Sequence, residues 1–160
     1  YWCIRNKDQE LYYHFLKSNI NPKNWKQFVN NLIEDIIKLK SSNNVDLIIN
    51  ILVLEERWNE LTEYLNSIHY YMRFEYLDKL IQNYKTEEVA EVYAKIIFLY
   101  LNYFKGDDYN NNATKGLKKL IENGFVEKST LLIKNLKIVF PRKYSLLDKL
   151  KVVESLIQRI

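Results

Sequence analysis

Apolar side chains recur every three or four positions along almost the whole of this 160-residue chain. That spacing gathers them on one stripe of an α-helix, whereas a half-buried strand needs strict alternation. After Asn21-Pro22, residue types that open a helix, the stripe runs through Trp25, Phe28, Val29, Leu32, Ile33, Ile36 and Ile37. It should end near Lys40, where Ser41-Ser42-Asn43-Asn44 breaks the pattern. Thr86 reads as the cap of a second long helix, with Glu87 and Glu88 where the helix dipole favours negative charge. That helix carries Val89, Val92, Tyr93, Ile96 and Ile97 on one side and Ala90, Ala94, Phe98 and Leu99 on the other. A helix apolar on both faces has to be covered on both, which places it centrally.

Shorter stripes fill the rest. They run through Leu11–Leu16, Trp58–Ile68, Tyr70–Tyr84, Ala113–Ile121 (stopped by Asn123-Gly124), and Ser129–Phe140 (stopped by Pro141). Ser145-Leu146-Leu147-Asp148 reads as a capping box opening a last helix. Val45–Leu54 is nearly continuous in aliphatic residues and by pattern alone could be a strand; with no second period-two segment to pair with, it is read as a buried helix. Only 3 Gly and 2 Pro occur in the chain, too few for the many corners of a sandwich or barrel. The fold class expected is all-α, one domain over residues 1–160, with N-terminal helices over 1–42 and helical hairpins over 43–160.

Helix starts near Tyr71, Asp108 and Tyr144 lie about 37 residues apart, inside the period range of helical repeats. An array of antiparallel hairpins, solenoid-like in the manner of tetratricopeptide or HEAT arrays, is therefore favoured over a closed helical bundle. No tetratricopeptide or ankyrin signature accompanies the spacing.

Chemistry-bearing patterns are sparse. His14 and His69 are the only histidines, and neither has Cys, His or carboxylate partners at metal-ligand spacing. Cys3 is the single cysteine, which excludes a disulfide framework and a multi-thiolate zinc site. Gly106, Gly116 and Gly124 form no phosphate loop, and no serine sits in a nucleophile elbow. Glu55, Glu56, Glu60 and Glu63 read as a solvated acidic face. No enzyme activity and no cofactor is expected. No apolar run approaches the roughly 20 residues that cross a bilayer, so no membrane span is expected. A chain opening Tyr1-Trp2-Cys3, without an initiating methionine or a signal peptide, reads as a fragment of a longer, cytoplasmic protein.

Charge is uneven. Residues 105–160 hold 12 Lys/Arg against 6 Asp/Glu, within a whole-chain net charge of +4. Lys115, Lys118, Lys119, Lys134, Lys137, Arg142, Lys143, Lys149 and Lys151 form the candidate polyanion-binding set, able to meet phosphates if the hairpins bring them into one stripe. Against that, lysine dominates where base recognition favours arginine. Most of the 13 tyrosines lie on core stripes, but Tyr12, Tyr71, Tyr103 and Tyr109 fall off theirs and are candidate protein-interface anchors.

The words Leu52-Val53-Leu54-Glu55-Glu56-Arg57-Trp58-Asn59-Glu60-Leu61, Glu91–Ile97, Leu117-Lys118-Lys119-Leu120 and Phe140–Leu150 resemble the C-terminal helical region of SWIM zinc-finger family proteins. The resemblance covers Asn44 to Leu150, and the Cys/His motif that names the family is absent from this chain. It implies an all-helical, repeat-like region attached to a zinc module, with nucleic-acid or protein partners, and it carries over no ligand or catalytic residue. The function expected is a protein-interaction or scaffolding region binding another protein or the rest of its own chain. The alternative is a nucleic-acid-binding helical module using the basic C-terminal third. A small-molecule ligand is not expected.

Overall fold

Nine α-helices account for most of the described residues, 7–39 and 44–159 of the computed structural model, and no strand occurs among them. They are α1 (Lys7–Asn19), α2 (Pro22–Lys38), α3 (Asn44–Leu54), α4 (Trp58–Ser67), α5 (Tyr70–Tyr84), α6 (Glu87–Tyr103), α7 (Asp107–Glu122), α8 (Val126–Val139) and α9 (Tyr144–Ile157). Their ends have local causes. The Asn21 side chain accepts from the Lys23 amide at 3.0 Å, with Pro22 at the first helical position of α2. Thr86 Oγ1 accepts from the Val89 amide at 3.3 Å at the start of α6. α7 ends in a Schellman turn: Gly124 takes a φ of 95°, its N–H reaches Ile121 O at 2.9 Å, and the Phe125 N–H reaches Leu120 O at 3.0 Å.

The chain divides into two compact units, Tyr1–Glu56 and Arg57–Ile160. This corrects the expectation of a single domain whose repeats begin at residue 43. The helix over 44–54 belongs with the N-terminal helices because both of its ends are bonded to them. Asn44 Nδ2 donates to Ile36 O at 2.6 Å. At the other end, Glu55 accepts from Trp25 Nε1 at 2.9 Å and from Lys17 Nζ at 2.8 Å. Glu56 follows in the left-handed region, φ 54°. Within the first unit the Tyr13 and Trp25 rings meet edge to face at 5.4 Å, and Trp25 stacks on Phe28 at 5.5 Å. Ile37, apolar and in step with its stripe, is nevertheless exposed.

In the second unit the substantial contacts join each helix to the next and to the next but one. That is the connectivity of hairpins α4/α5, α6/α7 and α8/α9 laid one on another. The second helix of each hairpin starts at Tyr70, Asp107 and Tyr144, 37 residues apart in both steps. α6 touches α4, α5, α7 and α8, as its two apolar faces require. Nine of its residues are buried, among them Tyr93, Ile96, Ile97 and Tyr100 with no exposed surface. Burying one such side chain is worth about 1.5–3 kcal/mol, which makes α6 the strongest single contributor to the core.

Polar groups seal the joints. Buried Arg73, near the start of α5, donates to Ile68 O at 3.1 Å, to Asn66 Oδ1 at 2.9 Å and to Asn66 O at 2.5 Å, so its guanidinium closes the end of α4. Desolvation by burial lowers its pKa. At the start of α7, Asp107 accepts from the Ser145 hydroxyl and from Lys149 at 3.2 Å. The capping-box reading of Ser145 is thereby corrected: Lys143 occupies the cap position of α9 with no side-chain cap bond, and the Ser145 hydroxyl is taken by α7.

Candidate functional site

α6 and α8 lie side by side and run in the same direction. At one end Lys128 Nζ bonds Glu91 at 2.9 Å and Glu87 at 3.3 Å; at the other, the Phe98 and Phe140 rings lie 5.9 Å apart. Both helices therefore advance from a charged end to an apolar one. Between them runs a groove of about 390 Å³. Ala94, Lys95 and Phe98 line its α6 wall, and Leu131, Asn135, Ile138 and Val139 line its α8 wall. Ile138 is 67% exposed, Leu131 59% and Val139 47%. Buried Leu132 and Leu136 fix the inward face of α8, so Leu131 and Ile138, two turns apart, stand on a second apolar stripe that no helix covers. Val139, placed on the core stripe by its spacing, belongs to this exposed edge instead. Burial depresses the Lys128 ammonium, and the Glu91 and Glu87 carboxylates more than offset that, holding its pKa above the ordinary value. Lys95, by contrast, forms no ion pair among the described residues.

The candidate basic set is dispersed. Lys119 pairs with Glu122 at 2.8 Å, Lys137 with Glu154 at 2.6 Å, Lys149 with Asp107 at 3.2 Å and Lys151 with Asp148 at 2.9 Å. Lys143 turns inward, donating to Leu101 O and, at 3.4 Å, to Phe104 O, with its ammonium 4.4 Å from the Phe140 ring centroid. It closes the last carbonyls of α6. Desolvation by burial lowers its pKa, and nearby Lys105 adds to that. Lys143→Met keeps the apolar stem and removes the donor; urea unfolding should show a loss of about 1 kcal/mol, and an unchanged midpoint would disprove the closing role. Lys134 and Arg142 are exposed and in no ion pair among the described residues.

Three members of the set do converge. Lys115, Lys118 and Lys119 line a cleft of about 250 Å³ with Phe74, Asp78 and Tyr93. The Tyr93 hydroxyl donates to Asp78 at 2.5 Å at its floor. Burial, and after it the Asp78 carboxylate, push that phenol far above its ordinary pKa.

Of the candidate tyrosines, Tyr103 is 65% exposed. Tyr109 is not a free anchor: it stacks on Phe104 with ring centroids 5.0 Å apart and lies near Tyr100 and Tyr70, closing an aromatic cluster. The side chains of Tyr12 and Tyr71 lie outside the described residues, as does Cys3. His14 is exposed, and exposed His69 stacks on Tyr70 at 4.8 Å. Among the described residues no three His, Cys, Asp or Glu side chains gather in a way that could hold a metal ion.

The groove residues Lys95, Leu131 and Ile138 were not among the candidates from sequence. Their signal was present as the seven-residue spacing of Leu131 and Ile138, off the main stripe of their helix. Comparison with protein-family models, with curated proteins and with solved structures finds no match. The resemblance to SWIM proteins rests on the short sequence words alone.

Proposed function

We propose that Arg57–Ile160 is a non-catalytic protein-interaction and scaffolding region, a solenoid-like stack of hairpins that presents the α6/α8 groove to a partner in the cytoplasm. The observation that carries this reading is the alignment of Leu131, Ile138 and Val139, each about half or more exposed, along one concave edge. Scattered apolar side chains on a surface need no explanation, whereas a contiguous set beside a groove marks an interaction site. Among the described residues no helix is long and apolar enough to cross a membrane, so a membrane-spanning role gives that stripe no explanation.

The test is a pull-down from nuclease-treated extract with the wild-type chain and with Leu131→Glu/Ile138→Glu. Both positions are solvent-facing, so the fold should survive; an interaction centred on them should weaken by about 30-fold or more, the scale of a hot-spot loss. Partners captured equally by both chains would refute the reading.

The second reading, a polyanion site, draws support from Lys115 and Lys118, which converge with Lys119 on the α5/α7 cleft and form no ion pair among the described residues. It predicts nuclease-sensitive binding that falls steeply with salt and is lost in Lys115→Glu/Lys118→Glu. The pairing of Lys119, Lys137, Lys149 and Lys151 and the inward turn of Lys143 favour the first reading.

A further inference from the structure

We infer that the occupant of the α6/α8 groove is a single amphipathic helix of a partner protein, with apolar side chains at i, i+3 or i+4 and i+7 and an acidic side chain that meets Lys95. The inference rests on the groove being an interaction surface, and three observations choose the occupant.

The walls of the groove are themselves helices, whose backbone N–H and C=O groups are spent on their own i→i−4 bonds. An extended peptide laid along them would find no backbone partners, and its own N–H groups would be desolvated over Leu131 and Ile138 without compensation. A helix brings its backbone already bonded. The spacing agrees, since Leu131 and Ile138 are two turns apart, about 10.5 Å along the axis. Phe98 and Ala94, one turn apart, face them from the other wall. A third helix seated between two parallel neighbours meets such a groove with one side chain per turn, the spacing of helix-in-groove recognition.

Charge selects the polar edge of that helix. Glu87 and Glu91 share the single ammonium of Lys128 at one end of the groove. Lys95 lies on the α6 wall of the groove and forms no ion pair among the described residues. The four charges sum to zero, so what is left for a ligand is one local cation, Lys95, and an Asp or Glu placed beside it on the incoming helix answers it.

Size decides against the other occupants. A stable dimer of this chain needs about 800 Å² from each copy, far more than Phe98 and three partly exposed aliphatic side chains offer. A free acyl chain would fill the width, but the groove is open along its length and half of the chain would stay in water. A helix buries one face here and keeps its polar face outside.

The experiment uses the full 160-residue chain as bait for a phage-displayed library of helix-compatible 16-residue peptides, with Leu131→Glu/Ile138→Glu as counter-selection. Selected peptides should carry apolar residues at i, i+3 or i+4 and i+7 with an adjacent Asp or Glu. In titrations, Lys95→Glu should weaken them about tenfold, and replacing the peptide's acid with Lys should restore binding to that variant. Circular dichroism melts confirm that the variants fold. Peptides lost on the double variant but extended, proline-rich or indifferent to Lys95 leave the interaction surface standing and overturn the helical, acidic occupant. Peptides that bind the double variant undiminished, or no selected peptides at all, overturn both. A concentration-dependent dimer in analytical ultracentrifugation that Ile138→Glu dissolves overturns the inference in favour of a second copy.

Discussion

Gly116→Val lowers the thermal midpoint of Arg57–Ile160 by roughly 12 °C, an expected cost of about 3 kcal/mol for overpacking in a unit of about 100 residues. A Cβ at residue 116 would stand 2.9 Å from Tyr93 Cε1, 3.0 Å from Phe74 Cε1 and 3.2 Å from Ile97 Cδ1. Tyr93 and Ile97 have no exposed surface, so neither ring nor methyl group has room to retreat. The absent side chain is what lets α7 settle against α5 and α6. Gly116→Ala separates the two effects that act here: it gains helix propensity worth about 1 kcal/mol and meets the same contact with the Cβ alone, so its loss should be clearly smaller than that of valine. Differential scanning calorimetry checks both. A valine variant melting within about 2 °C of wild type would show that α7 does not approach this closely.

The second large effect lies in the first unit. Glu55→Gln costs about 2 kcal/mol at pH 7, the scale of losing charge-assisted hydrogen bonds. Burial raises the Glu55 pKa, but hydrogen bonds from Lys17, Trp25 and Tyr13 outweigh it and hold the carboxyl below its reference value of 4.5. A carboxylate with a depressed folded-state pKa contributes stability that is fully present above the unfolded value. That contribution disappears as pH falls through the folded one. Wild-type Tyr1–Glu56 should therefore weaken on acidification below pH 4.5, and the glutamine variant should show a flatter acid limb because it has already lost the carboxylate. The Trp25 indole N–H resonance, observed by NMR as pH is lowered, reports the bond directly. A Trp25 signal that ignores both the substitution and the acid range would contradict the Glu55 contacts.

Features set by local chemistry were legible in the sequence. Asn21-Pro22 and Thr86 start helices where their side chains can meet free amides, and Asn123-Gly124 ends one where glycine accepts a positive φ. The doubly apolar α6 had to be central, and it touches four other helices. The aliphatic run at 44–54 was resolved as helix by the absence of a partner strand.

What was not legible depended on distant neighbours. Ser145 has the residue type and spacing of a cap, but Asp107, 38 positions earlier, competes for its hydroxyl and wins. The 41–44 break read as the point where the N-terminal helices give way to hairpins, but Asn44 and Glu55 tie α3 back to the preceding helices. Of the nine candidate basic residues, four meet carboxylates, Glu154 and Asp107 among them from other helices, and Lys143 meets backbone carbonyls far upstream in the chain. Tyr109 fell off its stripe only to complete a ring cluster with Phe104. The groove was half legible: the i, i+7 spacing of Leu131 and Ile138 was there to be read, but that α6 would leave it uncovered followed only from how the hairpins sit.

Because each helix of Arg57–Ile160 leans chiefly on companions one or two places away, its assembly closes only short loops, a topology that favours rapid folding.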